Sequence, residues 1–279
     1  MAVVKKTKAS DLQALSKKLV TLLKKHYKPD GHKKDRSVLE TMLYAVCLEN
    51  STQEQADAAY EILQSDFHDL NEIRVSTYSE LTPCFTGMSD PDSRAARVRA
   101  ILQYVFEINF DFDFEPLKRK TLELAEKQLQ KIRFASSFIQ LYTLQHSLGT
   151  HMVPVDDCIR DAAVWMGLAV PGCTTAEASD GLKSAVSKSD ASVFCQYLRC
   201  LATDSRLQPL FAKHKAPPEG HDLGDLISRI EHFLADAAKA AKAKPVKAKE
   251  VVPAKVAVKA VAKKPVPKAK ASVAKKKPR

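Results

Sequence analysis

The sequence predicts an all-α fold followed by a lysine-rich tail that stays unfolded. Apolar residues recur at helical spacing from Leu12 to Leu234, no alternating segment of useful length interrupts them, and the composition changes abruptly after Leu234.

The first element is an amphipathic helix over Ala9 to Tyr27. Leu12, Leu15, Leu19, Leu22 and Leu23 share one face, Ser10 is its N-cap, and Lys17, Lys18, Lys24 and Lys25 form a solvated face. Pro29 and Gly31 then predict a loop. Apolar spacing predicts further helices over 37–49, 53–66, 92–109, 116–130, 134–147, 155–167, 176–187, 190–203 and 222–240, with a short one near 77–82. Start signals accompany several. Ser51 or Thr52 precedes the second, Asp90-Pro91-Asp92 opens the third, and Thr175 stands before Ala176-Glu177. Ile108 to Phe114 does alternate, but a helix and Pro116 bound it. It reads as an extended linker that buries Phe110, Phe112 and Phe114.

Charge divides the chain into three parts. Residues 237–279 carry fourteen Lys, one Arg and one Glu, a net +14, and residues 1–36 carry +8. Residues 37–236 carry −11, so the folded body is acidic and its ends are basic. The tail repeats Ala-Lys, Val-Lys and Lys-Pro units with no aromatic residue. Self-repulsion and scattered prolines deny it a core. Its composition resembles the tails of linker histones and of some bacterial nucleoid proteins. Flexible lysines displace condensed counterions from phosphates, so Lys239, Lys242, Lys244, Lys247, Lys263, Lys264, Lys275, Lys276 and Lys277 are expected to contact DNA, largely without sequence specificity. RNA is a second polyanion that this charge suits.

The six cysteines include no Cys-x-x-Cys pair and mostly lie in apolar runs, as buried reduced thiols do. Met1 to Ser10 has no apolar leader and no run approaches a membrane span. These features predict a soluble intracellular protein with no membrane partner, in the cytoplasm with the nucleoid, or in the nucleus of a eukaryote. His146 and His151 lack a third ligand, so no metal is expected.

One constellation carries chemistry. Val155-Asp156-Asp157-Cys158-Ile159, closed by Gly167-Leu168, resembles the Val-Asp-Thr-His-Val…Leu-Gly-Leu signature of the endonuclease III-like DNA glycosylases, in the helix-hairpin-helix superfamily. Leu48-Glu49-Asn50-Ser51 resembles that family's Ser-Gln-Asn-Thr turn, and Arg94-Ala95 stands at its Lys-Ala helix start. The hairpin falls at Leu129-Gln130-Lys131-Ile132-Arg133-Phe134. The resemblance covers roughly residues 37–210. It implies a two-lobed all-α fold for residues 37–236, with residues 1–50 paired with 155–236 around a cleft against 55–150. It also implies DNA contacts from Arg94, Lys131, Arg133, Asn50 and Ser51, the first three on one face at the cleft mouth.

The departures are as specific as the matches. Gln130, Lys131 and Arg133 replace the hairpin's Pro, Gly and Gly. Ala135 stands where bifunctional members carry a Schiff-base lysine, so strand cleavage is not expected. Glu49 replaces the Gln that fills the duplex, and no Cys follows Cys200, so the family's iron–sulfur cluster is not expected and no cofactor is implied. Asp156 matches the family's catalytic Asp, yet it is equally a helix cap. Two functions fit. One is a base-excision glycosylase without lyase activity, acting on damaged or mismatched bases through Asp156. The other is a non-catalytic nucleoid or chromatin protein on a decayed glycosylase scaffold.

Overall fold

The structure is a computed structural model that describes residues 9–29, 35–213 and 223–243. The described residues form thirteen α-helices and three short 3₁₀ turns, without a strand. In chain order the helices are α1 (Ala9–His26), α2 (Val38–Leu48), α3 (Gln53–Ser65), α4 (Leu70–Val75), α5 (Tyr78–Leu81), α6 (Pro91–Asn109) and α7 (Leu122–Leu129). They continue as α8 (Ser137–Leu148), α9 (Asp157–Met166), α10 (Thr175–Ser184), α11 (Ala191–Thr203), α12 (Gln208–Lys213) and α13 (Leu226–Ala243).

Side-chain caps start many of these helices. Ser37 and Glu40 form a reciprocal capping box at α2, as do Thr52 and Gln55 at α3 and Thr174 and Glu177 at α10. The cap of α10 is therefore Thr174, one residue before the expected Thr175. Ser136 caps α8 through the Ile139 amide.

Two hydrophobic cores organise the chain. The first runs from Val38 to Met152 and contains α2 to α8. The second joins Leu19, Leu22 and Leu23 of α1 to Val153–Leu234. Helix α1 therefore packs with the later helices, α10, α11 and α13. Residues 38–50 depart from expectation. Helix α2 is apolar almost all round, and every residue but Glu40 is buried. A helix of that kind sits at the centre of a core. It packs against α3, α6 and α8 within the first lobe.

Local departures have local causes. The expected helix over 116–130 is a 3₁₀ turn over Glu115–Arg119 and then α7, because Lys120 and Thr121 are extended between them. Helices α4 and α12 are six residues each, too short to impose a clear period on the sequence. Helix α13 continues to Ala243, past the boundary drawn at residue 237, because alanine and lysine are strong helix formers. The side chains of residues 237–243 and all of residues 244–279 lie outside the described residues, and with them every lysine assigned to the tail. No helix among the described residues is long and apolar enough to cross a membrane.

The linker after α6 buries Phe114 and half-buries Phe112, but Phe110 is 82% exposed. Phe110 ends α6 in the left-handed region, at φ 53°. That position suits Gly or Asn, because a Cβ there crowds the following carbonyl. Phe110→Gly should therefore stabilise the protein by about 1 kcal/mol, seen as a Tm rise of about 2–4 °C in thermal unfolding. A fall in Tm would mean that the edge-on Phe106–Phe110 contact outweighs the strain.

Candidate nucleic-acid interface

The C-terminal end of α2 is met by side chains from both lobes. The last carbonyls of a helix have no partner within it, and buried ones need donors from elsewhere. Two arginines supply them. Arg94, from α6, donates to the carbonyls of Val46, Cys47 and Glu49, to the Ser51 hydroxyl and to Ser89. Arg199, from α11 in the other lobe, donates through one nitrogen to the carbonyls of Leu48 at 2.9 Å and Ser51 at 3.3 Å. Both cations also face the negative end of the helix dipole.

The same Arg199 nitrogen lies 2.8 Å from Asp156 Oδ2. Asp156 is 2% exposed and is the N-cap of α9, accepting the Ile159 amide at 2.9 Å through Oδ1. Its Oδ2 also accepts the Asn50 amide at 2.9 Å, across the lobe boundary. Both oxygens are therefore engaged inside the protein. Asn50 holds φ 53° and reaches α9 with its side chain as well, accepting from the Cys158 amide and donating to Asp157. Glu49 ion-pairs with Arg97. Burial raises the Glu49 pKa, against the pull of Arg97 and of the Ser136 hydroxyl.

These contacts place several of the residues expected to touch DNA. Arg94 is 2% exposed, and its donors hold the end of α2, so it cannot sit at a cleft mouth with Lys131 and Arg133. Ser51 is buried as an acceptor for Arg94. Asn50 joins the lobes rather than standing free. Asp156 has the geometry of a cap and a buried ion pair. Lys131 and Arg133 are exposed, on the turn between α7 and α8. Ala135 follows them, half-buried against the first core.

A cavity of about 950 Å³ opens between the lobes. Its lining includes Arg36, Tyr44, Phe138, Tyr142, Gln145 and Arg199, but not Asp156. The Arg36 guanidinium lies 3.6 Å from the Tyr44 ring centre and Tyr142 stacks on His146 at 4.1 Å, so the lining combines aromatic rings with cations. Gln145 is 7% exposed and donates Nε2 to the Met152 carbonyl at 2.7 Å, which fixes its amide. Its Oε1 and the Arg36 Nε find no partner among the described residues. Cys195 and Cys200 also line the cavity, and burial raises both thiols to about 11, so neither is a ready nucleophile. No cluster among the described residues has the ligands for a metal ion.

Sequence reasoning missed Arg199, Arg97, Arg36 and Gln145. For Arg199 a signal existed. It lies between Leu198 and Leu201 on a helix that buries Phe194 and Ala202. A charge in such a setting requires a buried partner.

No protein-family model and no curated protein matches the sequence. Solved structures do match the fold. A trapped endonuclease III–DNA covalent intermediate is 10% identical, covering 69% of this chain and 85% of that one, with a TM-score of 0.54. A non-covalent endonuclease III–DNA complex is 10% identical over 85% of this chain and 99% of that one, with a TM-score of 0.53. A thermostable thymine-DNA glycosylase is 11% identical over 69% of this chain and 86% of that one, with a TM-score of 0.51. The chain therefore has the all-α fold of these solved endonuclease III and thymine-DNA glycosylase structures.

Proposed function

We propose that the protein binds DNA as a glycosylase-type scaffold and releases no base through Asp156. The observation that carries this reading is the Asp156 carboxylate. A group that stabilises a sugar cation must face that sugar with free charge. Here both oxygens are occupied by Arg199, Asn50 and Ile159 in the protein interior. Ala135 offers no amine at the position of the Schiff-base lysine, which favours the same reading. Binding is supported by the fold, by exposed Lys131 and Arg133, and by the basic composition of residues 237–279. The interlobe cavity has the volume and aromatic walls to receive a single base.

The test uses the full chain with duplexes that each carry one damaged base. Retarded duplex is expected, with no free base, no abasic site and no adduct on borohydride reduction. Deleting residues 244–279 should weaken binding and flatten its salt dependence, since each neutralised phosphate contributes a log–log slope of about −0.9. Base release that disappears in Asp156→Asn would sink the non-excising reading. Equal salt slopes with and without residues 244–279 would remove the tail from it.

A further inference from the structure

The turn between α7 and α8 contains a residue whose conformation and surroundings do not match its chemistry. Ile132 anchors the turn, buried in the first core, and its amide bonds to the Leu129 carbonyl at 3.1 Å. The Ala135 amide bonds back to Ile132 at 3.3 Å. Between them stands Phe134, at φ 64°. This left-handed conformation suits glycine or asparagine, and for a bulky aromatic it is an outlier. Burial of the ring could offset such strain, but Phe134 is 58% exposed and belongs to neither core. Its near companion is the Arg133 guanidinium, 5.2 Å from the ring centre. Lys131, on the same turn, and Arg133 are both exposed. The turn therefore holds a phenyl ring in solvent, at a conformational cost, next to a cation.

Strained residues that packing does not repay concentrate where a surface meets a ligand. The ligand must have an apolar face for the ring and negative charge for Lys131 and Arg133. An unstacked base in a nucleic acid offers both at one site, because every base has a π-face and flanking phosphates. We infer that Phe134 stacks on an unpaired base of bound DNA while Lys131 and Arg133 contact the phosphates on either side. The inference rests on the DNA-binding reading and adds a preference to it: DNA with an unpaired base over intact duplex.

The full chain would be titrated by anisotropy with an intact duplex and with the same duplex carrying a one-nucleotide bulge. A 2-aminopurine in the bulge would report stacking. Wild type should favour the bulged probe and quench the 2-aminopurine. Phe134→Gly should bind that probe about tenfold more weakly, leave the intact duplex nearly unchanged and lose the quenching. Phe134→Trp should retain both. Because glycine fits φ 64°, Phe134→Gly should also raise Tm by about 2–4 °C. Gain in stability with loss of selectivity marks a ring kept for a ligand. Undiminished binding of the bulged probe by Phe134→Gly would overturn the stacking role and leave DNA binding standing. So would a fall in Tm, which would make Phe134 a packing residue. Failure of wild type to bind either probe would overturn the DNA-binding reading and this inference with it.

Discussion

Arg199→Met should cost about 3–5 kcal/mol of folding stability, measured as a lower urea midpoint at unchanged m-value. The substitution keeps much of the side-chain volume over the Phe138 ring, where the guanidinium now lies at 4.8 Å. It removes the positive charge from Asp156 and the donor from the Leu48 and Ser51 carbonyls. Asp156 would then be a buried carboxylate held only by two amides. Breaking one side of a buried pair costs more than removing both, because the survivor's charge stays desolvated. The double variant Asp156→Asn/Arg199→Met should therefore be more stable than Arg199→Met alone, since Asn still caps α9 and carries no charge. A loss under about 1 kcal/mol for Arg199→Met would show that water or another cation replaces the guanidinium, and that Asp156 is less enclosed than its contacts imply.

Arg94→Met should be of similar size, about 3–5 kcal/mol, for a different reason. Among the described residues Arg94 has no carboxylate in salt-bridge contact: its work is to satisfy carbonyls in the last turn of α2, together with Ser51 and Ser89. Each carbonyl left dry costs about 1–3 kcal/mol, partly recovered if water enters. DNA affinity per folded molecule should not change, because the guanidinium is buried. Lys131→Ala and Arg133→Ala should show the opposite profile, with stability within about 0.5 kcal/mol of wild type and weaker binding. Denaturation and binding measured on all three variants would separate the roles. If Arg94→Met lost affinity while keeping its midpoint, the burial of Arg94 would not describe the protein in solution.

The residues that were legible in the sequence and those that were not differ in kind. Helix spacing along Ala56, Tyr60 and Leu63, or Val98, Ile101, Leu102 and Val105, depends on residues near in sequence, and all of these are buried as the spacing requires. The Val155-Asp156 signature and its Gly167 closure also hold within one short segment, where Asp156 caps α9 and Gly167 ends it at φ 79°. The fold could be read from such segments. Arg94 and Arg199 could not, because each is defined by a partner far away: Arg94 by carbonyls up to 48 positions distant and Arg199 by one 151 positions distant. An arginine on a helix has the same local pattern whether it meets a phosphate or a carbonyl. Phe110 and Phe134 were opaque for another reason, since a left-handed aromatic breaks the local preference that sequence reading uses.

The path of the chain through the two lobes sets an order of assembly during synthesis. The first lobe is one continuous stretch, residues 38–152, and its core can close once the ribosome has released it. The second lobe is split. Helix α1 leaves the ribosome first but covers Leu19, Leu22 and Leu23 only with helices made after residue 153, the last of them α13. Tyr27 reaches Asp204 across 177 positions, and that contact waits on the same helices. An amphipathic helix with exposed leucines therefore precedes its partners for most of translation. Its lysines, Lys17, Lys18, Lys24 and Lys25, keep that early segment charged on its outer face while the partner helices are still unmade, and charge of this kind opposes association.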